Sequence, residues 1–255
     1  MKQNYSIAQL KDTAKEKLTG KYGSAALMEI FQNTLFISAL LIFNTFLSLF
    51  TLGFAASDGS VGTVIGFVIP YLANFCSSVL AGVMNTGIAL FFLNAACGRT
   101  CATVNLLYGY QYLFQKSVTL SAVTVLINSI CLLPYDIFTY QFQLTGSSQT
   151  AIAMVASLLI GMVIYTPISL ALSQTYFLLL DFPSYSAKEI LQLSIRIMKG
   201  RKKQLFVLQL SFLPIMLLGA LTLGIGNLWI NPYMMMTMAL YFLHIMKPAE
   251  NDTTN

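Results

Sequence analysis

The chain has 255 residues, of which 56 % are hydrophobic and only 9 % are charged. A soluble domain of this length would have too few polar side chains to cover its surface, so the composition excludes that class and predicts an integral membrane protein. The formal net charge is +5, from fourteen Lys and Arg against nine Asp and Glu. No nucleic-acid-binding motif accompanies these charges, so we expect no nucleic-acid partner. Anionic lipid headgroups are the simpler partner for basic residues beside apolar segments.

Six apolar segments approach or exceed the roughly 20 helical residues that a bilayer core requires. They cover residues 34–56, 74–96, 118–138, 151–180, 204–228 and 232–246. Proline removes a helical hydrogen-bond donor, so Pro70 is expected to separate a short interfacial or re-entrant piece from the second span. The third span is expected to stop near Pro134, and the fourth is long enough to tilt or to kink at Pro167. We therefore predict an all-α membrane protein with about six transmembrane helices.

The basic residues fall into clusters that this topology places on one side of the membrane. The clusters are residues 2–21, Arg99 with Lys116, residues 188–203, and Lys247. An even number of crossings separates each cluster from the next, which is the positive-inside pattern. It predicts a multi-pass protein of the cell membrane with both termini in the cytoplasm. The first apolar run is interpreted as a retained span, since no small-residue cleavage site follows it closely.

Two segments that precede spans share a helix pattern. A capping box begins at Ser6 and at Ser186, and Gly20 and Gly200 stand at the same distance after each of them. A weaker copy, without the glycine, covers residues 103–117. These copies predict three cytoplasmic amphipathic helices, each followed by two spans, in modules 1–97, 98–180 and 181–255. Unrelated amphipathic linkers are the alternative.

Basic residues in and after the last of these helices form the candidate lipid-contacting surface. In residues 187–199, Lys188, Gln192, Arg196 and Lys199 share one face and apolar residues share the other, which predicts an interfacial helix. The candidate contacts with anionic headgroups are Arg196, Lys199, Arg201, Lys202 and Lys203. A role in binding an unknown protein partner is the alternative.

Amide side chains are the main polar groups inside the predicted spans: Asn74, Asn85, Asn94, Asn128 and Gln174. Three of these, Asn85, Asn94 and Gln174, are the candidate intramembrane polar positions. Hydrogen bonding between helices, worth roughly 0.6 to 2 kcal/mol each, is the favoured interpretation. A substrate site is the alternative.

The sequence contains no pattern typical of catalysis or of a resident cofactor. His244 is the only histidine, and Cys97 and Cys101 have helical spacing but no His or acidic residue beside them. No recognised catalytic or nucleotide-binding motif is present. Asp136 and Asp181 are placed at the ends of spans, which disfavours proton-coupled pumping. We therefore predict no catalytic, cofactor or metal site.

The segment from Thr222 to Tyr233, which reads TLGIGNLWINPY, resembles the closing signature of the DUF975 family of bacterial integral membrane proteins. The segment ending Met198-Lys199-Gly200 and the stretch 10–20 are also similar to that family, so the resemblance covers most of the chain. It implies a multi-pass cell-membrane protein with no assigned activity. A more distant similarity to the membrane portion of some glycerophosphodiester phosphodiesterases implies a connection with lipids. The phosphodiesterase domain has no counterpart in this sequence, so that activity is not implied.

Two functions remain open from the sequence. The first is a non-enzymatic accessory protein of the envelope that associates with lipids or a protein partner. The second is a transporter or channel for a lipid-like or small neutral molecule, because proline-interrupted segments are typical of broken-helix sites. A polar cavity that reaches the middle of the membrane would favour transport, whereas a packed interior would favour the accessory role.

Overall fold

The structure is a computed structural model that describes residues 6–55, 60–101, 103–222 and 224–246. Within these ranges, the described side chains exclude those of residues 35–37, 39, 40, 44, 48–55, 60–65 and 104. The described residues form helices and contain no strand, which confirms the all-α prediction. The helices are α1 (Ile7–Leu18), α2 (Tyr22–Ala55), α3 (Ser60–Ala96), a 3-10 helix (Thr103–Leu107), α4 (Tyr108–Gln111), α5 (Phe114–Thr145), α6 (Ser148–Leu172), α7 (Thr175–Asp181), α8 (Ala187–Met198), α9 (Lys202–Leu210), α10 (Leu213–Leu221) and α11 (Asn227–Met246).

Four helical segments of the described part are long and apolar enough to cross a membrane. They are Gly66–Ala96, Phe114–Thr145, Ser148–Asp181 and Lys202–Leu221. The first predicted span falls in α2, where most side chains lie outside the described ones. The sixth corresponds to α11, which is not among the four segments and has much of its length buried against other helices. Four apolar helices fit a membrane protein, and the number six stays a prediction.

Two predicted interruptions at proline are wrong. Helix α3 continues through Pro70, and α5 continues through Pro134 as far as Thr145. A proline within a helix leaves one backbone carbonyl without its usual donor, and membrane helices tolerate it when another group compensates. The turn between α5 and α6 is correspondingly short and includes Gly146, whose positive φ of 60° suits glycine.

The real breaks occur where no proline interrupts the helix. The fourth predicted span divides between α6 and α7 at Ser173 and Gln174, while Pro167 lies inside α6. The fifth divides between α9 and α10 at Ser211 and Phe212, and Pro214 lies in the first turn of α10. Proline is well tolerated in a first helical turn, because the N–H that it lacks has no partner within the helix there.

Helices α1 and α8 confirm the predicted caps and length. Each is 12 residues long, begins with a complete capping box and is followed by a glycine with positive φ, 77° at Gly20 and 81° at Gly200. Their buried positions also have the same spacing: Leu10, Ala14 and Leu18 in α1, and Ile190, Ser194 and Met198 in α8. The two segments therefore use one packing pattern, although a common origin of the modules stays a prediction.

The predicted third copy over residues 103–117 is wrong as a single helix. The chain there forms the 3-10 helix and α4, and both fold back onto α3. A Cβ placed on Gly87 would lie 2.2 Å from the Leu106 carbonyl oxygen, and one on Gly109 would lie 2.6 Å from the Val83 carbonyl oxygen. This close backbone approach holds the segment against α3, whereas α1 and α8 pack through larger side chains.

Three helical hairpins are closed by basic side chains that donate to main-chain oxygens. Lys21, just before α2, donates to the Ala95 oxygen at the end of α3 over 3.4 Å. Arg201, just before α9, donates to the Ile245 oxygen at the end of α11 over 3.2 Å. Lys116, near the start of α5, donates to the Pro183 oxygen after α7 over 2.5 Å. Cations at helix C-termini are favourable because unpaired carbonyls point there. We call this end of each hairpin its basic end.

The hydrophobic core lies toward the basic ends. One cluster of buried residues includes side chains of α1, α7, α8 and α11 and the second half of α3. In α5, which has 32 residues, the buried ones are Ser117, Leu120 and Ser121, all near its start. We call this region the packed half. The rest of α5 and the first part of α3, up to Ser78, form what we call the cleft half.

Candidate functional site

A polar cleft separates α3 from α5 in the cleft half. Its volume is about 410 Å³, within the roughly 300 to 1,000 Å³ typical of small-molecule sites. The lining residues are Gly66, Phe67, Pro70, Tyr71, Asn74, Phe75 and Ser78 of α3, and Val125, Asn128, Ser129, Asp136, Thr139, Tyr140 and Gln143 of α5. Amides, hydroxyls and one carboxylate thus face each other between two helices that are long enough to span a membrane.

Helical spacing brings the polar residues of α5 to one side. Ser129, Asp136, Tyr140 and Gln143 follow one another at intervals of seven, four and three residues, which places them on one helix face. The sequence did not predict this face, because the third span was expected to stop near Pro134. The continuous helix extends nine residues past Asp136, or about 14 Å at 1.5 Å per residue, and so includes Tyr140 and Gln143.

Three aromatic rings stand together in the cleft. The Phe67 ring stacks on the Tyr71 ring with centroids 5.6 Å apart, and the Phe67 and Tyr140 centroids are 5.5 Å apart. The Tyr71 hydroxyl donates to the main-chain carbonyl oxygen of Ser129 over 3.3 Å, which fixes one ring across the gap between α3 and α5. A Cβ on Gly66 would lie 2.8 Å from the Tyr140 hydroxyl oxygen, so glycine provides the space for that side chain.

Asp136 gives the cleft a negative group. It is partly buried, and the described part of the chain contains no hydrogen bond or ion pair to its carboxylate. No Lys or Arg is among the described lining residues. A carboxylate at such a position is costly in a membrane unless something compensates its charge.

A tightly packed floor closes the cleft toward the packed half. A Cβ on Gly82 would lie 1.9 Å from the Ser121 Oγ, and that Oγ donates to the Val79 oxygen over 2.7 Å. One turn further, the Thr86 and Ser117 hydroxyls are 2.9 Å apart and buried. Small and hydroxylated residues at one level allow the two helices to approach closely. We call these contacts the floor; the cleft therefore ends near the middle of α3 and near the start of α5.

The predicted amide positions fall into different environments. Asn74 and Asn128 line the cleft. Asn85 is half-buried beside the floor, where its side chain lies near the hydroxyl of Tyr176 of α7. Gln174 is fully buried at the break between α6 and α7, and its amide nitrogen donates to the Ser173 hydroxyl over 3.0 Å. Asn94 is half-buried near the end of α3.

The predicted lipid-contacting residues also differ in their exposure and contacts. Arg196, Lys199 and Lys203 are exposed, and Lys202 is partly exposed. Arg201 is the residue that closes the last hairpin through the Ile245 oxygen. Lipid contact stays a prediction for all five.

Helix α1 packs along α11 and reaches the break between α9 and α10. The Lys11 ammonium donates to the main-chain carbonyl oxygen of Ser211 over 2.8 Å and lies 4.0 Å from the centre of the Phe212 ring. Burial, together with the nearby Lys15 charge, lowers the pKa of Lys11. This cation stabilises an interrupted helix, so it belongs to the packing of the molecule and not to an open site. A second cavity beside α1, near Tyr241, has only about 10 Å³ and is too small for an organic ligand.

Comparison with known families agrees with the sequence resemblance. The model of the family described as "Protein of unknown function (DUF975)" matches residues 1–249. The chain belongs to the DUF975 family. No curated protein and no solved structure has significant similarity to it. Membership in DUF975 assigns no activity to this protein.

Proposed function

We propose that this protein is a multi-pass protein of the cell membrane that binds a lipid-like molecule in the cleft between α3 and α5. The observation that carries the proposal is the combination of amide, hydroxyl and carboxylate groups with aromatic rings inside two membrane-length helices. Polar groups at such depth usually face a cavity or one another. Here Asn74 and Asn128 line the cleft, which favours a binding role over helix packing for these two amides.

An amphipathic molecule fits the surroundings of the cleft. Beside the cleft face of α5 runs an exposed apolar stripe formed by Leu126, Ile130, Leu133 and Ile137. The polar part of a ligand would contact the cleft, while an acyl or alkyl chain would lie along this stripe among the bilayer lipids. Such a molecule avoids the cost of bringing polar groups into hydrocarbon without partners.

The proposed orientation places the basic ends in the cytoplasm and the cleft in the outer half of the membrane. Its support is the grouping of basic residues at the ends of the three hairpins, in line with the positive-inside rule. With six spans this gives cytoplasmic termini, and the exposed Arg196, Lys199 and Lys203 would face anionic headgroups. The three modules would each contribute one hairpin to this arrangement.

The experiment that tests the binding role is purification in native lipid followed by mass spectrometry of the bound molecules. The wild-type protein is compared with Asn74→Leu and Asn128→Leu, which keep side-chain size and remove the amides of the cleft. Asn94→Leu is the matched control, since Asn94 does not line the cleft. We expect one class of amphiphile to co-purify with the wild type and the control and to be depleted at least about threefold in both cleft variants, a loss near 0.65 kcal/mol. Equal lipid profiles in all four proteins would contradict the proposal.

Transport is the second candidate, and the floor is the specific observation that favours it. The floor is built from hydroxyls and glycine, which hold α3 and α5 together without large interlocking side chains. Its separation would extend the cleft toward the basic ends, as alternating access requires. In a background without native cysteines, a disulfide between Thr86→Cys and Ser117→Cys would lock the floor. A transporter would lose its cellular phenotype under oxidising conditions and regain it on reduction, whereas an accessory binding protein would keep it throughout.

A further inference from the structure

We infer that the molecule bound in the cleft has a cationic, ammonium-type headgroup, for which Asp136 is the counter-ion and the rings of Phe67, Tyr71 and Tyr140 form the walls. This inference rests on the proposed function and adds the chemical class of the ligand. It is carried by three independent features of the same cleft: its charge, its aromatic geometry and its remaining polar groups.

The first feature is charge balance. The described lining contains one carboxylate and no basic side chain, and no described residue pairs with Asp136. An ionised carboxylate within an apolar span is stabilised by a nearby cation, and none of the described residues supplies that cation, so we assign it to the ligand. A phosphate headgroup would meet repulsion from Asp136 and find no Lys or Arg. The cleft therefore selects against anionic lipids, which are the expected partners of the basic ends.

The second feature is the position of the rings relative to the carboxylate. Tyr140 follows Asp136 by four residues, so the two side chains are neighbours on one face of α5. The Phe67 ring, 5.5 Å from the Tyr140 ring at an angle of 54°, stands opposite them on α3. Aromatic faces attract ammonium groups, with about 0.5 to 2 kcal/mol for each good contact, and they suit methylated ammonium groups especially.

The third feature is the set of neutral polar groups that line the same volume. Asn74, Asn128, Ser78 and Gln143 offer oxygen atoms, whose partial negative charge suits an ammonium group with or without an N–H. They do not add charge, so Asp136 remains the only formal charge among the described lining residues. A neutral polyhydroxylated headgroup would use the amides equally well, but it would leave the carboxylate uncompensated.

The test uses the full-length protein in vesicles of neutral phospholipid and three amphiphiles with the same alkyl chain. Tritiated forms of dodecyltrimethylammonium, dodecyl phosphate and dodecylglycerol are each bound directly, and the last two are also used unlabelled as competitors of the ammonium probe. Asp136→Asn has nearly the same shape without the charge, and Asp181→Asn is the control, since Asp181 is exposed at the end of α7. Size-exclusion profiles establish that both variants are folded.

We expect saturable binding of the ammonium probe to the wild type and to Asp181→Asn, and a loss of about tenfold in affinity for Asp136→Asn. Neither competitor should displace the probe at equal concentration. Tighter binding of dodecylglycerol or dodecyl phosphate, or equal affinity in Asp136→Asn, would overturn the cationic assignment and leave the binding cleft standing. Failure of all three amphiphiles to bind would remove the proposed function as well.

Discussion

The two halves of this protein differ in what their helices face. In the packed half, α11 buries Ile230, Tyr233, Met236, Ala239 and Phe242 against other helices. In the cleft half, α5 exposes a large part of its apolar surface and keeps polar groups on the face toward α3. The difference shows that apolar composition alone does not identify a lipid-facing helix. Helix α11 is not among the segments suited to membrane crossing by composition, whereas Gly66–Ala96 is one of them although half of its most apolar window is buried.

Substitution of a closely packed glycine in the packed half should give the largest loss of stability. In Gly87→Ala the new methyl group would lie 2.2 Å and 2.3 Å from the main-chain oxygens of Leu106 and Asn105, which cannot rotate away. We expect the variant to misfold or to lose more than about 4 kcal/mol of stability. Unfolding by SDS in mixed micelles measures the loss. Gly23→Ala is the control, because nothing lies within 4 Å of its Cβ and alanine favours a helix. Equal stability of the two variants would refute the close packing of the 3-10 helix on α3.

Leu→Ala substitutions at one position in each half compare directly how much each leucine side chain contributes to stability. Leu178 of α7 is fully buried, whereas Leu126 of α5 is 49 % exposed. Leu178→Ala should cost about 2 to 5 kcal/mol because it leaves a cavity, and Leu126→Ala should cost well under 1 kcal/mol. The same unfolding assay applies to both. A large loss for Leu126→Ala would mean that the apolar stripe of α5 is covered by protein, and the distinction between the halves would fail.

Substitutions of basic residues at the hairpin ends should give smaller changes in stability. Arg201→Gln removes the cation from the end of α11 and should lower stability by about 1 kcal/mol, whereas Lys203→Gln, at an exposed position, should change it by less than about 0.5 kcal/mol. Lys203→Gln should instead reduce the enrichment of anionic lipid around the purified protein. If Arg201→Gln instead reduced the lipid enrichment and left the stability unchanged, Arg201 would be a lipid contact and would not close the hairpin.

The smallest expected effect is the pH response of the α8 cap. Hydrogen bonds from the Ser186 backbone N–H and hydroxyl to the Glu189 carboxylate lower the pKa of Glu189 below its usual 4.5. A lowered pKa in the folded state gives stability that is full above the unfolded-state pKa and is lost as the pH falls through the lowered folded value. The stability difference between wild type and Glu189→Gln should therefore shrink from pH 6 toward pH 3. A difference that does not change with pH would contradict the capping role of the carboxylate.

The sequence predicted features that depend on local chemistry and missed features that depend on tertiary contacts. The caps at Ser6 and Ser186 were predictable because a capping box is formed within one turn of chain. The continuity of α5 past Pro134 was not, because a proline within a helix depends on compensation by the surroundings. Ending that span early also concealed the cleft, since Asp136 then lies at the end of the span and Tyr140 and Gln143 lie beyond it. Polar spacing in α5 was the signal that would have revealed it.

The candidate site was predictable only in part for a related reason. Asn74 and Asn128 were recognised as polar groups in apolar segments, but Asn85, with the same residue type, lies at the packed junction of α3 and α7. Residue type does not distinguish a cavity from a helix contact when the partners come from different helices. Only the pairing of α3 with α5 decides which amide faces open space.

The central claim is that an accessible polar cleft reaches the floor and stops there, and cysteine accessibility tests it most directly. Single cysteines replace Asn74, Ser78 and Asn128 of the cleft or Ser117 and Ser121 of the floor, with Cys76, Cys97, Cys101 and Cys131 changed to Ser. A membrane-impermeant maleimide is then added outside intact cells. We predict labelling at all three cleft positions and none at the two floor positions. Unreactive cleft positions, or labelling at Ser121→Cys as fast as at Ser78→Cys, would contradict the account.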